Sequence, residues 1–286
     1  MIYDFVYRAH RQTRWIPDTD FYCRPFVTSY QKKERSAVFF LKVSKAGFMK
    51  VLFFSILIPA LLPVALVLFY VWHKDKNERE PISVILLTVV FGAVVSFVAG
   101  PVELAIEKFL VLFLDVDSVG YSLIENFFGV ALVEEFLKWL IIMIFIWQNK
   151  NFDHSYDAIV YTVASSLGFA AAENIGYIIT YGKFVAISRA VFAIPGHASF
   201  GVFMGYFIAK AKFASVNEKP RTVKLLLSVA VPTIVHGIYD FLLSPAAENL
   251  SFSGFFTAYV VVVDIASFFL IRSQFKHDKI LKKVSE

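Results

Sequence analysis

Cysteine is nearly absent from this 286-residue chain: Cys23 stands alone, which excludes an internal disulfide and any zinc site built on thiolates. Charge is scarce as well. Asp, Glu, Lys and Arg supply 18% of the residues, below the ~25% usual in soluble domains. The chain lacks a low-complexity linker and an internal repeat, so it reads as one domain without the inverted repeats that mark many transporters. It also lacks the apolar–polar alternation of a membrane β-barrel. About fifty residues precede the first apolar block, too many for the charged start of a signal peptide, and none is expected.

What abounds is apolar: 58% of the residues, with 32 Phe. They come in blocks, at roughly 49–72, 82–100, 121–147, 157–181, 189–209, 223–243 and 253–272. Each block is near the ~20 residues a helix needs to cross ~30 Å of hydrocarbon. Lipid offers backbone groups no partner but one another, so the blocks are expected to be helices. The expected fold is all-α, a polytopic transmembrane helix bundle of seven or eight spans. Residues 1–48 read as a basic N-terminal segment, cytoplasmic or interfacial, 49–275 as the transmembrane domain and 276–286 as a basic C-terminal tail. The net charge of +5 then belongs to the flanks of spans facing anionic lipid, and no nucleic-acid partner is expected.

The eighth span turns on 101–114, which Pro101 opens and Glu103, Glu107 and Lys108 interrupt. With 1–48 in the cytoplasm, only a crossing there brings the basic loop 210–224 and the tail from Arg272 inside as well. It also leaves 244–252, which has no Lys or Arg, outside. Eight crossings are preferred on that ground, with seven as the alternative.

Ionisable side chains within spans cost several kcal/mol, so each needs a reason. Four groups stand out: Glu134-Glu135-x-x-Lys138, Glu173-Asn174, His197 behind Pro195-Gly196, and His236-Gly-x-x-Asp240. If successive spans run antiparallel, Glu173, His197 and His236 lie about 10–12 Å from one shared face, and Glu134 about 20 Å. Four spans thus bring polar groups to one layer, nearer the outer face in the eight-span orientation. His236 and Asp240 are four residues apart, so the carboxylate is placed to orient the ring; Glu134 and Lys138 share that spacing. A carboxylate in a dry cleft suits proton abstraction from water. Two histidines and an acid equally suit a divalent metal with an open position, and spacing leaves both schemes open. Singly, each group also reads as structural: a buried ion pair, a hydrogen-bond clasp, a packing histidine. Gly196, Gly201 and Gly205 are expected to allow close helix approach.

These motifs resemble the PrsW family of intramembrane proteases. The matching residues are Glu134-Glu135-Phe-Leu-Lys138-Trp139, Phe152-Asp153-x-x-Tyr156-Asp157-x-x-x-Tyr161, Gly168-Phe169-x-x-x-Glu173-Asn174, His197-Ala198 and Pro232-x-x-x-His236-Gly237-x-Tyr239-Asp240. Asp75-x-x-Glu78-x-Glu80-Pro81 resembles the family's first-loop signature. The family is similar to the wider clan of CAAX prenyl endopeptidases and CPBP proteins, whose last motif often ends in Asn where this chain has Asp240. Segment 1–48 looks additional to the family core.

The resemblance implies an intramembrane endopeptidase that cleaves a single-pass membrane protein, a site-1-type cut such as that of an anti-sigma factor, from the outer side. It implies catalytic Glu134, Glu135, His197 and His236, with one glutamate activating water. Lys138, Glu173, Asn174 and Asp240 would support them. The cofactor would be a divalent metal, zinc foremost, on His197, His236 and Glu135, or none at all, since a metal-free glutamate mechanism is argued for relatives. Lipid and the substrate would be the partners, and a prokaryotic cytoplasmic membrane the location. Competing readings are a proton-coupled transporter and a non-catalytic scaffold using the same buried groups.

Overall fold

Small side chains decide which helix takes the centre. The computed structural model describes residues 47, 50, 53–74, 79–214 and 220–278; nearly all of 1–48 and the end of the tail lie outside them. The chain runs through α1 (Phe54–Lys74), α2 (Ile82–Leu110), α3 (119–146), α4 (Asp157–Tyr181), α5 (Val185–Lys212), α6 (Arg221–Leu242), the short α7 (Pro245–Asn249) and α8 (Ser253–Lys276). Every residue of α4 from Asp157 to Ala171 is buried. Its Ala, Ser, Thr and Gly positions let the neighbours come close, which matters because lipid provides no hydrophobic drive between helices.

Two reciprocal contacts fix α2 against α4. A Cβ on Gly168 would lie 2.1 Å from the Val89 carbonyl oxygen, and one on Gly92 would lie 2.1 Å from that of Ser165. On the other side, Gly201 and Gly205 lie against the backbone of Val163 and Ile159, where an added Cβ would come within 2.9 and 2.7 Å. Gly168→Ala and Gly205→Ala are each expected to cost about 1–3 kcal/mol through overpacking, measured as a lower melting temperature in detergent. Gly100→Ala, with nothing within 4 Å, serves as the neutral control.

The stretch 101–114 does not form its own crossing. Ile82–Leu110 is one helix of 29 residues with Pro101 inside it, about 44 Å long at 1.5 Å per residue. Glu103 and Glu107 are buried, turned to protein rather than lipid, so they need no water-filled loop. Six of the long helices are apolar and long enough to cross a membrane. The seventh, α3, carries Glu125, Glu134, Glu135 and Lys138, and its α-helical stretch Leu132–Ile141 lies between π-helical stretches Glu125–Ala131 and Ile142–Ile146. Among the described residues the seven-span alternative therefore fits.

One end of the bundle is tied by polar bonds that account for several motif residues. Asp157 Oδ2 accepts from the N–H groups of Asp153 and His154 at 3.1 and 2.6 Å and so opens α4. Asp278 accepts from Ser155 Oγ and Tyr156 N at 2.8 and 2.9 Å. The Tyr161 hydroxyl donates to buried Glu80, Trp72 Nε1 donates to the Glu80 carbonyl at 3.0 Å, and Tyr156 donates to the Val71 carbonyl at 3.1 Å. Lys212 donates to the Trp147 carbonyl at 2.8 Å. This end gathers the 210–224 loop and the basic tail.

Candidate active site

The other half of the bundle holds the charged residues. On α3, Lys138 follows Glu134 by four residues and Glu135 by three, so one ammonium reaches both carboxylates. Its Nζ lies 3.1 Å from Glu134 Oε2 and 2.7 Å from Glu135 Oε1. It also lies 3.2 Å from His197 Nδ1 and 4.3 Å from the centre of the Phe169 ring. The Lys138 and Glu135 side chains are 0% exposed, while that of Glu134 keeps 6%.

Helix α6 brings His236 to the same place. Its Nδ1 lies 3.0 Å from Glu135 Oε1 and 3.9 Å from Glu134 Oε2, and its Nε2 lies 3.3 Å from Asp240 Oδ2, one turn further along. Phe200 stacks on the His236 ring at 4.5 Å. Gly237 makes this approach of α6 to α3 feasible, because a Cβ there would meet the Phe127 ring at 2.6 Å. Gly196, just before His197, is likewise near a ring, 3.3 Å from that of Tyr239 for an added Cβ.

His197 Nε2 lies 2.9 Å from Glu173 Oε2, so α4 and α5 are joined one turn from the acidic pair. The Glu173 carboxylate also accepts from Arg189 Nη2 at 3.2 Å, Asn174 Oδ1 accepts from Arg189 Nε, and the guanidinium lies 4.0 Å from the Tyr177 ring centre. Asn174 in turn donates to the Ala60 carbonyl at 3.3 Å.

All eight site residues expected from the sequence thus fall into one cluster of hydrogen bonds and ion pairs; Arg189 was not among them. Its only signal in the sequence was a cation at the very start of an apolar block, where an Arg reads as an interfacial flank. Asp264, inside the last apolar block, was also passed over; it accepts from Ser199 at 2.9 Å, and Ser199 lies 2.9 Å from Ser267.

The donor atoms group differently from the His197–His236–Glu135 trio read from the sequence. Glu134, Glu135 and His236 form one candidate trio and Glu134, Glu173 and His197 another, each with donor atoms within 4.8 Å of one another. The histidines separate because Lys138 and Glu173 hold the two nitrogens of His197, whereas Glu135 and Asp240 hold those of His236. Imidazole and carboxylate in threes, buried except for the half-buried Glu173, are a fitting donor set for a divalent metal.

Residues 80–271 match the family described as PrsW family intramembrane metalloprotease. The chain belongs to that family. A Protease PrsW of Oceanobacillus iheyensis is 38% identical over 218 residues, covering 76% of this chain and 95% of that one. A Protease PrsW of Bacillus subtilis is 37% identical over 192 residues, 67% of this chain and 84% of the relative. No solved structure matches. PrsW-family membership makes the chain an integral membrane protein and an intramembrane peptidase, and decides against the transporter and scaffold readings. The family's description as metalloproteases implies a metal, and the two trios are where these residues would hold it.

Proposed function

We propose that this PrsW-family peptidase cleaves a single-pass membrane protein, with Glu134 as the base that takes a proton from the attacking water. The observation that carries the reading is the joining of Glu134, Glu135, Lys138, His197 and His236, from three helices, in one buried hydrogen-bonded cluster. Glu135 Oε1 is committed to Lys138 and His236 and its side chain has no exposure. Glu134 retains some exposure and makes its short contact with Lys138 alone, which suits it to meet water. Lys138, held between the glutamates and His197, supplies a fixed positive charge near the charge that develops on the carbonyl oxygen. Glu173 and Asp240 orient the histidines, and Asn174 holds Arg189 against Glu173. When bound, a divalent metal supplies Lewis-acid polarisation of the carbonyl and activation of water, with zinc the ion that best suits these donors.

The orientation follows from charge. Loop 210–224 and the tail from Arg272 share one end of the bundle, and we assign that end to the cytoplasm. The cluster then lies nearer the outer face: Glu173 is about 12 Å and His236 about 9 Å from their helix ends on that side. Segment 1–48 takes the interfacial of its two placements, 49–275 is the catalytic domain, and the membrane is a prokaryotic cytoplasmic one, as the bacterial relatives support. A cut near the outer face suits a site-1-type substrate, such as an anti-sigma factor. The test is purified protein in liposomes with a single-pass reporter. Cleavage by wild type and not by Glu134→Gln is expected; cleavage of equal rate by a well-folded Glu134→Gln protein would sink the assignment.

A further inference from the structure

The centre of the cluster is held by a cation that belongs to the chain. Lys138 Nζ touches Glu134 and Glu135 of one candidate trio, and Glu134 and His197 of the other. A divalent metal bonds to such oxygens and nitrogens at about 2.0–2.2 Å. In either trio, therefore, the ion would have the ammonium as an immediate neighbour, in a pocket too dry to screen two like charges. The lysine has no easy retreat. Its side chain is fully buried, the Phe169 face lies on it at 4.3 Å, and its backbone is locked in the middle of α3 with Ser165 donating to its carbonyl at 3.4 Å.

We infer that the Lys138 ammonium takes the place of a divalent metal ion in this pocket and opposes its binding, so that Lys138 sets how tightly the site holds metal. The carboxylates are then neutralised with or without an ion, and the helices stay assembled in the stripped protein. The inference uses the same cluster as the proposed function, but its test reads metal and melting rather than cleavage, so each can fail alone.

Untagged protein in detergent is stripped with chelator and titrated with zinc, and with cobalt for its ligand-field spectrum. Wild type is expected to melt at the same temperature before and after stripping. Stripped Lys138→Met is expected to melt lower, to recover on adding zinc, and to bind zinc about tenfold tighter or more than wild type, since a neutral side chain of similar length replaces the adjacent charge. Lys138→Arg keeps a cation and is expected to show no gain. Equal or weaker zinc binding by Lys138→Met overturns the inference. So does a wild type that loses stability on stripping, or a Lys138→Met protein that fails to fold even with zinc in excess, because metal would then not be able to stand in for the lysine.

Discussion

Glu134→Gln is expected to lower cleavage of a single-pass substrate by about 10²–10⁴-fold, the usual contribution of a positioned general base, with a melting temperature close to that of wild type. The amide keeps the shape of the carboxylate but takes no proton from water. Lys138 keeps its 2.7 Å partner in Glu135 and its contact with His197, so no buried charge is stranded. Glu135→Gln is expected to behave differently. It removes the charge that Lys138 and His236 both hold at 2.7 and 3.0 Å, and breaking a buried pair on one side costs about 3–5 kcal/mol. That variant should lose melting temperature along with activity. Both readouts are needed: cleavage in liposomes and thermal unfolding in the same detergent. If Glu134→Gln is the one that unfolds while Glu135→Gln is stable and inactive, the two glutamates exchange roles.

The contrast between these adjacent glutamates could not be read from their positions in the chain. Intramembrane charge is rare enough that Glu134, Lys138, His197 and His236 stand out in any apolar block, and a helix turn of spacing already pairs Glu134 with Lys138 and His236 with Asp240. What the spacing omits is rotation about the helix axis. Two π-helical stretches flank Leu132–Ile141 and change which face of α3 meets α4 and α6. Such bulges leave no compositional trace, although they recur at functional sites. The donor atoms also group otherwise than the sequence suggests: His197 and His236 are near each other, with ring centres 5.5 Å apart, but their nitrogens point to different carboxylates.

The extra crossing at 101–114 had another origin. Counting basic flanks fixes only the parity of the spans between them, and it took 1–48 to be cytoplasmic. Glu103 and Glu107 looked like interruptions because their burial against protein is a tertiary fact. The motif around Tyr156, Asp157 and Tyr161 was legible as a family signature but not as a role. The structure gives those residues to the end of the bundle away from the cluster, where Asp157 holds the turn that leads into α4 and Glu80 meets Tyr161.

Arg189→Ala is expected to be the most damaging change outside the residues the sequence singled out. The guanidinium holds Glu173 and Asn174 at once, and Glu173 is what His197 Nε2 rests on at 2.9 Å. Removing the cation leaves a carboxylate with only 19% of its side chain exposed facing an imidazole alone, and the loss of one partner of such a pair costs about 3 kcal/mol. A glutamate freed to rotate no longer fixes the ring, and misplacement of a catalytic group by about 1 Å can cost 10²-fold in rate. Cleavage by Arg189→Ala should therefore fall about 10²-fold, in kcat more than in KM, because Arg189 acts through Glu173 and His197 rather than on the substrate. Arg189→Lys restores the charge opposite Glu173 but not the two-pronged hold that includes Asn174, so its rate should lie between the two. A folded Arg189→Ala protein with kcat within about threefold of wild type would mean that His197 is positioned without it, and a defect confined to KM would place Arg189 in substrate binding instead.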